Sequence, residues 1–177
     1  GKRIRPCLLL EFYRLCGGNP QDVLAFACGL EMIHTYSLIH DDLPCMDNDD
    51  YRRGRPSNHK VYGVGMATLA GDALLTRAFE VMLSQDRIPP EQAMKAAAYI
   101  AGCSGVYGMI GGQVQDLALE KQRANEAQLT RMVDGKTAAL LRAACVGGCL
   151  LAGGEEAQLR AAEDYASALG LAFQLRD

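Results

Sequence analysis

The chain has 177 residues, 49% apolar, 22% charged and 6% aromatic, and no tryptophan. That is one domain's worth of sequence, apolar enough for a real core and too apolar for a disordered chain. Eighteen basic against 21 acidic residues leave a net charge of −3, which argues against a general polyanion-binding surface and so against nucleic acid as a partner.

Helical signals run along the whole chain, and alternating strand patterns are absent. A first helix contains Pro6 in its opening turn and stops at Gly17-Gly18. Asn19-Pro20, an N-cap followed by a first-turn proline, opens a second helix that runs to about Asp42, where Pro44 breaks it. The polar stretch from Asp47 to Lys60, with Gly54 and Pro56 inside it, reads as loop. Helical pattern resumes from about Met66 to Gln85, restarts at Pro89-Pro90 and continues through glycine interruptions toward Glu120. Two more helices follow, near Glu126–Leu151 and Glu155–Asp177. The fold class is an all-α bundle whose helices are long enough to enclose a cavity.

No run of about 18 uninterrupted apolar residues is present, so no membrane span is expected. The longest approach to one, residues 137–154, contains Arg142 and four glycines. Seven cysteines at 7, 16, 28, 45, 103, 145 and 149 show no metal-type spacing. They read as small core residues in a reduced compartment, and the expected location is the cytoplasm.

The informative segment is 31–60. Five aspartates, at 41, 42, 47, 49 and 50, fall within ten residues. Helical spacing places Glu31, His34, Leu38, Asp41 and Asp42 on one stripe. Asp41 and Asp42 then stand at a helix C-terminus, where the dipole disfavours carboxylates. Two carboxylates about 6 Å apart repel by roughly 2–3 kcal/mol at an effective dielectric of 20. A cation would reverse both penalties, and an all-oxygen donor set selects Mg²⁺, Mn²⁺ or Ca²⁺. A solvated acidic loop would share this composition; the EF-hand spacing is absent. Arg52, Arg53, Arg55 and Lys60 follow directly, and Lys2, Arg3 and Arg5 form a second basic group. Carboxylate-held metal beside guanidinium donors is what a diphosphate requires.

The stretch Ser37 to Asp50, with Arg52-Arg53-Gly54-Arg55-Pro56, resembles the first aspartate-rich motif of the trans-isoprenyl diphosphate synthases, in its D-D-x4-D form closed by R-R-G. Gly1-Lys2-Arg3-Ile4-Arg5-Pro6, Ala70-Gly71-Asp72-Ala73-Leu74-Leu75, Gly112-Gln113-Val114-Gln115-Asp116-Leu117, Lys136-Thr137 and Phe173-Gln174-Leu175-Arg176-Asp177 resemble further motifs of that family, in the same order. The resemblance spans residues 1–177 as one polyprenyl synthetase domain. It implies a partial domain, because the second aspartate-rich motif begins at Asp177 and upstream residues are expected before Gly1.

The resemblance implies a prenyltransferase of the farnesyl diphosphate type, condensing isopentenyl diphosphate with an allylic diphosphate. It implies Mg²⁺, with Mn²⁺ as substitute, on Asp41, Asp42, Asp47 and Asp177. It implies the allylic diphosphate at Arg52, isopentenyl diphosphate at Lys2, Arg5, His34 and Arg53, and Lys136, Thr137 and Gln174 along the cation region. Gln113 and Asp116 would face the cavity, and Tyr36 and Ser37 would set product length. A homodimer is implied as well. Geranylgeranyl diphosphate is the alternative product, and a non-catalytic regulatory subunit on the same fold is the alternative role. Asp72 is expected to be a structural acid inside its helix, Asp49 and Asp50 to face solvent or nearby arginines, and His40 and His59 to be structural.

Overall fold

In the computed structural model the structure describes residues 1–119, 125, 128, 132 and 134–174. Helix α1 spans Ile4–Leu15, and Gly17, at φ +91°, ends it. Asn19 Oδ1 does accept the Gln21 N–H at 3.3 Å, but this cap opens a 3-10 turn, Pro20–Val23, ahead of α2, Leu24–Asp41. A two-residue hairpin, β1 Tyr51–Arg52 and β2 Arg55–Pro56, pairs antiparallel with Arg52 opposite Arg55. Then come α3 (Asn58–Tyr62), α4 (Val64–Leu83), α5 (Pro90–Ser104) and α6 (Met109–Leu119). A π turn, Asp134–Ala138, leads into α7 (Ala139–Leu151), and α8 covers Glu156–Gln174. The bundle is all-α apart from the hairpin, among the described residues.

Three expectations need correction. The polar segment after Asp47 is partly ordered: the hairpin and α3 occupy it, and two-residue strands are too short to show alternation. The stretch after Pro90 is two helices, because the chain breaks at Gly105 before α6 begins. Only Cys145 and Cys149 are buried; Cys7, Cys28 and Cys45 are exposed, and all seven thiols are free.

The core forms between α1, α2, α4, α5 and α7, around Leu9, Phe26, Leu30, Ile33, Met82, Ile100 and Leu140, all fully buried. Residues Pro20–Asp41 are long and apolar enough, by composition, to cross a membrane, with mean hydropathy 1.2. In the fold that stretch buries Phe26, Leu30, Ile33 and Tyr36 against its neighbours and carries Glu31, His34 and Asp41 on another face. α7 is buried almost throughout and touches α1 and α5 on one side and α8 on the other.

Small residues set the close approaches. A Cβ on Gly148 of α7 would stand 2.5 Å from the Leu9 carbonyl and 3.0 Å from the Phe12 Cβ of α1. Gly148→Ala therefore forces α1 outward; the expected loss is about 1–3 kcal/mol, read as a lower urea midpoint at unchanged slope.

Candidate functional site

α2 ends where the chain folds back. The Asp47 N–H donates to the Asp41 carbonyl at 2.9 Å, and the Met46 and Asn48 amides donate to Leu43. This turn returns Asp47 to the end of α2, near Asp41. Burial, Asp47 and Asp42 push the Asp41 carboxyl up to about 6, against the pull of Lys136 and Arg52. Asp42 is in a different state. It is 3% exposed, and Arg52 donates Nε to Oδ1 and Oδ2 at 2.8 and 2.9 Å and Nη2 to Oδ1 at 2.6 Å. Among the described residues no group of three His, Cys, Asp or Glu side chains is gathered closely enough to hold a metal unaided. Asp177 lies outside the described residues.

A cationic pocket of about 520 Å³ opens beside α2, lined by Lys2, Arg3, Arg5, Glu31, His34 and Arg53 with Thr137. A second recess of about 290 Å³ adjoins it, bringing in Asp42 and Arg52. Arg5 Nη1 donates to His34 Nε2 at 3.3 Å. Burial above all, then Arg5, Arg53, Arg52 and Arg3, hold the His34 imidazole down to about 4. His34 is therefore a neutral acceptor at neutral pH, and the pocket's positive charge is carried by Lys2 and the arginines. Two of these arginines, Arg3 at φ 54° and Arg53 at φ 53°, adopt the left-handed conformation that non-glycine residues rarely enter. Arg53-Gly54 forms the hairpin turn, so the strain sits where Arg53 turns toward the pocket.

On the other side of His34 lies a largely apolar cavity of about 700 Å³, walled by α2, α4, α6 and the π turn. Tyr36, Ser37 and Asp41 line it from α2, Gln113 from α6, and Lys136 and Thr137 from the π turn. Tyr36 is 5% exposed, and its ring meets His40 edge-on at 5.6 Å. Ser37 spends its hydroxyl on the His34 carbonyl at 3.0 Å. Gly112 lets α6 touch the π turn backbone: a Cβ there would stand 2.7 Å from the Gly135 carbonyl carbon. That contact brings Lys136 to Asp116, with which it forms an ion pair. Three buried polar atoms in this region, Arg5 Nε, Tyr36 Oη and Gln113 Nε2, have no hydrogen-bond partner among the described residues. Unpaired buried donors beside a cavity are groups a ligand can satisfy.

The structure thus brings Lys2, Arg5, His34 and Arg53 together in one pocket and Tyr36, Ser37, Asp41, Gln113, Lys136 and Thr137 in the other. Asp116 reaches the site through Lys136. The backbone of Gln174 closes α8, and its side chain lies outside the described residues. Asp72 departs from expectation: it is exposed, lines the cavity and approaches His40, at 3.9 Å. His40 donates Nε2–H to the Thr68 carbonyl at 2.9 Å, as a structural histidine should. Asp50 pairs with Lys60 at 2.7 Å. Sequence reasoning missed the Arg3–Glu31 ion pair and the Arg142–Asp134 pair. The first had a signal, since Glu31 lies one turn before His34 on the polar stripe; the second had none.

His34 and Asp41 oppose one another in acid. His34 is neutral in the fold down to about pH 4 but protonates near 6.5 when unfolded. It contributes stability above pH 6.5 that is lost as pH falls toward 4. Asp41, protonated below about pH 6 in the fold and near 3.8 when unfolded, adds stability over the same fall. Between pH 4 and 6 the two slopes cancel. Asp41→Asn removes one of them, so the variant's unfolding free energy, relative to wild type, should drop by about 1–2 kcal/mol between pH 6 and 4.5, measured by urea titration. Equal pH profiles would contradict this pairing.

The whole chain, residues 1–177, matches the polyprenyl synthetase family. It is 47% identical over 179 residues to a farnesyl diphosphate synthase of Geobacillus stearothermophilus, covering all of this chain and 60% of that protein. It is equally 47% identical over 182 residues to geranylgeranyl pyrophosphate synthase 3, chloroplastic, of Arabidopsis thaliana, covering all of this chain and 51% of the relative. The crystal structure of an FPP/GFPP synthase from Zymomonas mobilis, an apo form, superposes with a TM-score of 0.95 at 39% identity, over all of this chain and 64% of that one. The chain therefore spans between about half and two thirds of the proteins it matches. With every motif in order and the fold in register, this chain belongs to the polyprenyl synthetase family.

Proposed function

We propose that the protein is a prenyltransferase that joins isopentenyl diphosphate to a dimethylallyl or geranyl diphosphate and releases farnesyl diphosphate. The observation that carries this reading is the junction of the two cavities. Arg5, His34 and Thr137 line both the cationic pocket and the apolar one. A diphosphate bound among the guanidinium groups would thus extend its hydrocarbon part into the apolar space.

The metal reading fits the donor set, and Mg²⁺ is preferred with Mn²⁺ as a substitute. Asp41 and Asp47 offer oxygen donors only, and Mg²⁺ needs only one or two carboxylates when substrate phosphates complete its shell. When bound, the cation neutralises the departing diphosphate, which no side chain here could protonate efficiently at neutral pH. Asp42 holds Arg52 by Nε and Nη2, leaving Nη1 for an allylic diphosphate. Lys2, Arg5 and Arg53 take the isopentenyl diphosphate, and neutral His34 keeps Arg5 oriented by accepting its hydrogen bond. Lys136 and Thr137 face the region where positive charge develops, the oxygens of Thr137 being suited to stabilise it, and the family resemblance assigns Gln174 to the same role. Tyr36, buried below Asp41, blocks a chain longer than farnesyl. The free thiols support a reducing, cytoplasmic setting, and a homodimer follows the family resemblance.

The deciding assay supplies labelled isopentenyl diphosphate, geranyl diphosphate and Mg²⁺ to the protein at its native full length. A C15 product is expected; a C20 product would assign a geranylgeranyl synthase, and no product would overturn the reading. Asp41→Asn should lower turnover by about hundredfold or more. Tyr36→Ala should lengthen the product beyond C15, read by chromatography of the dephosphorylated alcohols; an unchanged C15 product would remove Tyr36 as the stop.

A further inference from the structure

The π turn Asp134–Ala138 presents two consecutive residues, Lys136 and Thr137, to the cavity. Such turns are rare, less stable than regular helix, and persist where neighbours hold them. Here the middle is held from α6 by the Gly112–Gly135 approach and the Lys136–Asp116 pair. Its end is held from α8, where a Cβ on Gly170 would stand 3.0 Å from the Ala138 Cα. The start of the turn is held by Arg142 of α7. Its Nη1 donates to Asp134 Oδ1 at 2.5 Å, and Nη2 donates to Oδ2 at 3.0 Å and to the Asp134 carbonyl at 3.5 Å.

Arg142 is placed for this work. Its side chain is 16% exposed, whereas Asp134 is 55% exposed. Arg142 is thus the sheltered member of the pair, near Tyr99 and Cys103 of α5, and the aspartate is the exposed one. Ion pairs of regular helices join residues three or four apart; this one joins residues eight apart, from the first residue of the turn to the first turn of α7. It spans the change of pitch and closes only while that pitch is kept.

We propose that Asp134 and Arg142 form a positioning clamp that fixes the pitch of the π turn and thereby aims Lys136 and Thr137 into the cavity. Its structural consequence stands on geometry alone; its catalytic consequence rests on the prenyltransferase reading. Neither residue lines the cationic pocket, the recess beside it or the apolar cavity. Loss of the clamp lets the turn relax toward regular helix, which rotates Thr137 away from the junction while leaving Lys2, Arg5 and Arg53 in place.

The test compares Asp134→Asn, Arg142→Met and Arg142→Lys with wild type in the full-length protein, by hydrogen exchange and by steady-state kinetics. In Asp134→Asn and Arg142→Met, amides across 134–139 should exchange about tenfold faster, the order expected for losing a charge-assisted bidentate pair. Exchange in α1 and α5 should not change. Turnover (kcat) should fall by about tenfold at an unchanged KM for isopentenyl diphosphate, and Arg142→Lys should recover most of both. Unchanged exchange in Asp134→Asn overturns the clamp. Faster exchange with unchanged kcat overturns the positioning role. Should Arg142→Met fail to fold, the exposed Asp134 still supplies the decisive variant. A wild type without activity would sink the prenyltransferase reading, while the exchange data alone would still decide the clamp.

Discussion

The site depends on how closely α2 and α4 approach each other. Two glycines permit it. A Cβ on Gly29 of α2 would stand 2.6 Å from the Met82 Cε and 2.9 Å from the Ala78 carbonyl of α4. One on Gly71 of α4 would overlap the His40 ring of α2. With both in place, His40 reaches the Thr68 carbonyl and α2 is locked in rotation as well as in distance. Rotation matters because α2 alone carries Glu31, His34, Tyr36, Ser37 and Asp41. A turn of one residue, about 100°, would take the carboxylate off the cavity and the imidazole off the arginines.

Around that helix the charges are arranged in opposition rather than in satisfied pairs. Burial, with guanidinium groups crowding round, keeps a histidine neutral, and a half-buried carboxylate stands near another of the same sign. Each arrangement costs free energy. Arg3 and Arg53 add backbone strain to the same ledger. Such costs accumulate where a ligand of the missing charge is to be bound. On the proposed reading a diphosphate would supply negative charge to the arginines, and a divalent cation would supply positive charge to Asp41 and Asp47. The Asp42–Arg52 and Lys136–Asp116 pairs, by contrast, are complete, and they hold the arginine and the lysine in place.

Much of this was legible in the sequence, for physical reasons. The five aspartates, the arginines that follow and the helical stripe from Glu31 to Asp42 are local patterns, and local patterns survive reading without a structure. The pairing of Asp42 with Arg52 was not legible, because it depends on a hairpin whose two-residue strands leave no period in the sequence. The exposure of Cys7 and Cys28 was not legible either, because a small thiol suits the buried or the exposed face of α1 and α2 equally. The π turn was hidden too. Its anchors, Gly112, Asp116, Arg142 and Gly170, come from three other helices, and no spacing within one helix announces them. What sequence reads poorly here is the contact between elements, and the aim of Lys136 and Thr137 is such a contact.

On the proposed reading the cationic pocket binds one diphosphate without metal, and a second diphosphate site at Asp41 and Asp47 requires it. Calorimetric titration of the full-length protein with inorganic diphosphate tests this most directly, first in chelator and then in Mg²⁺. One diphosphate per chain should bind in chelator and a second should appear with Mg²⁺, the first being lost in Arg5→Gln and the second in Asp41→Asn. A single site whose affinity ignores both Mg²⁺ and Asp41 would contradict it.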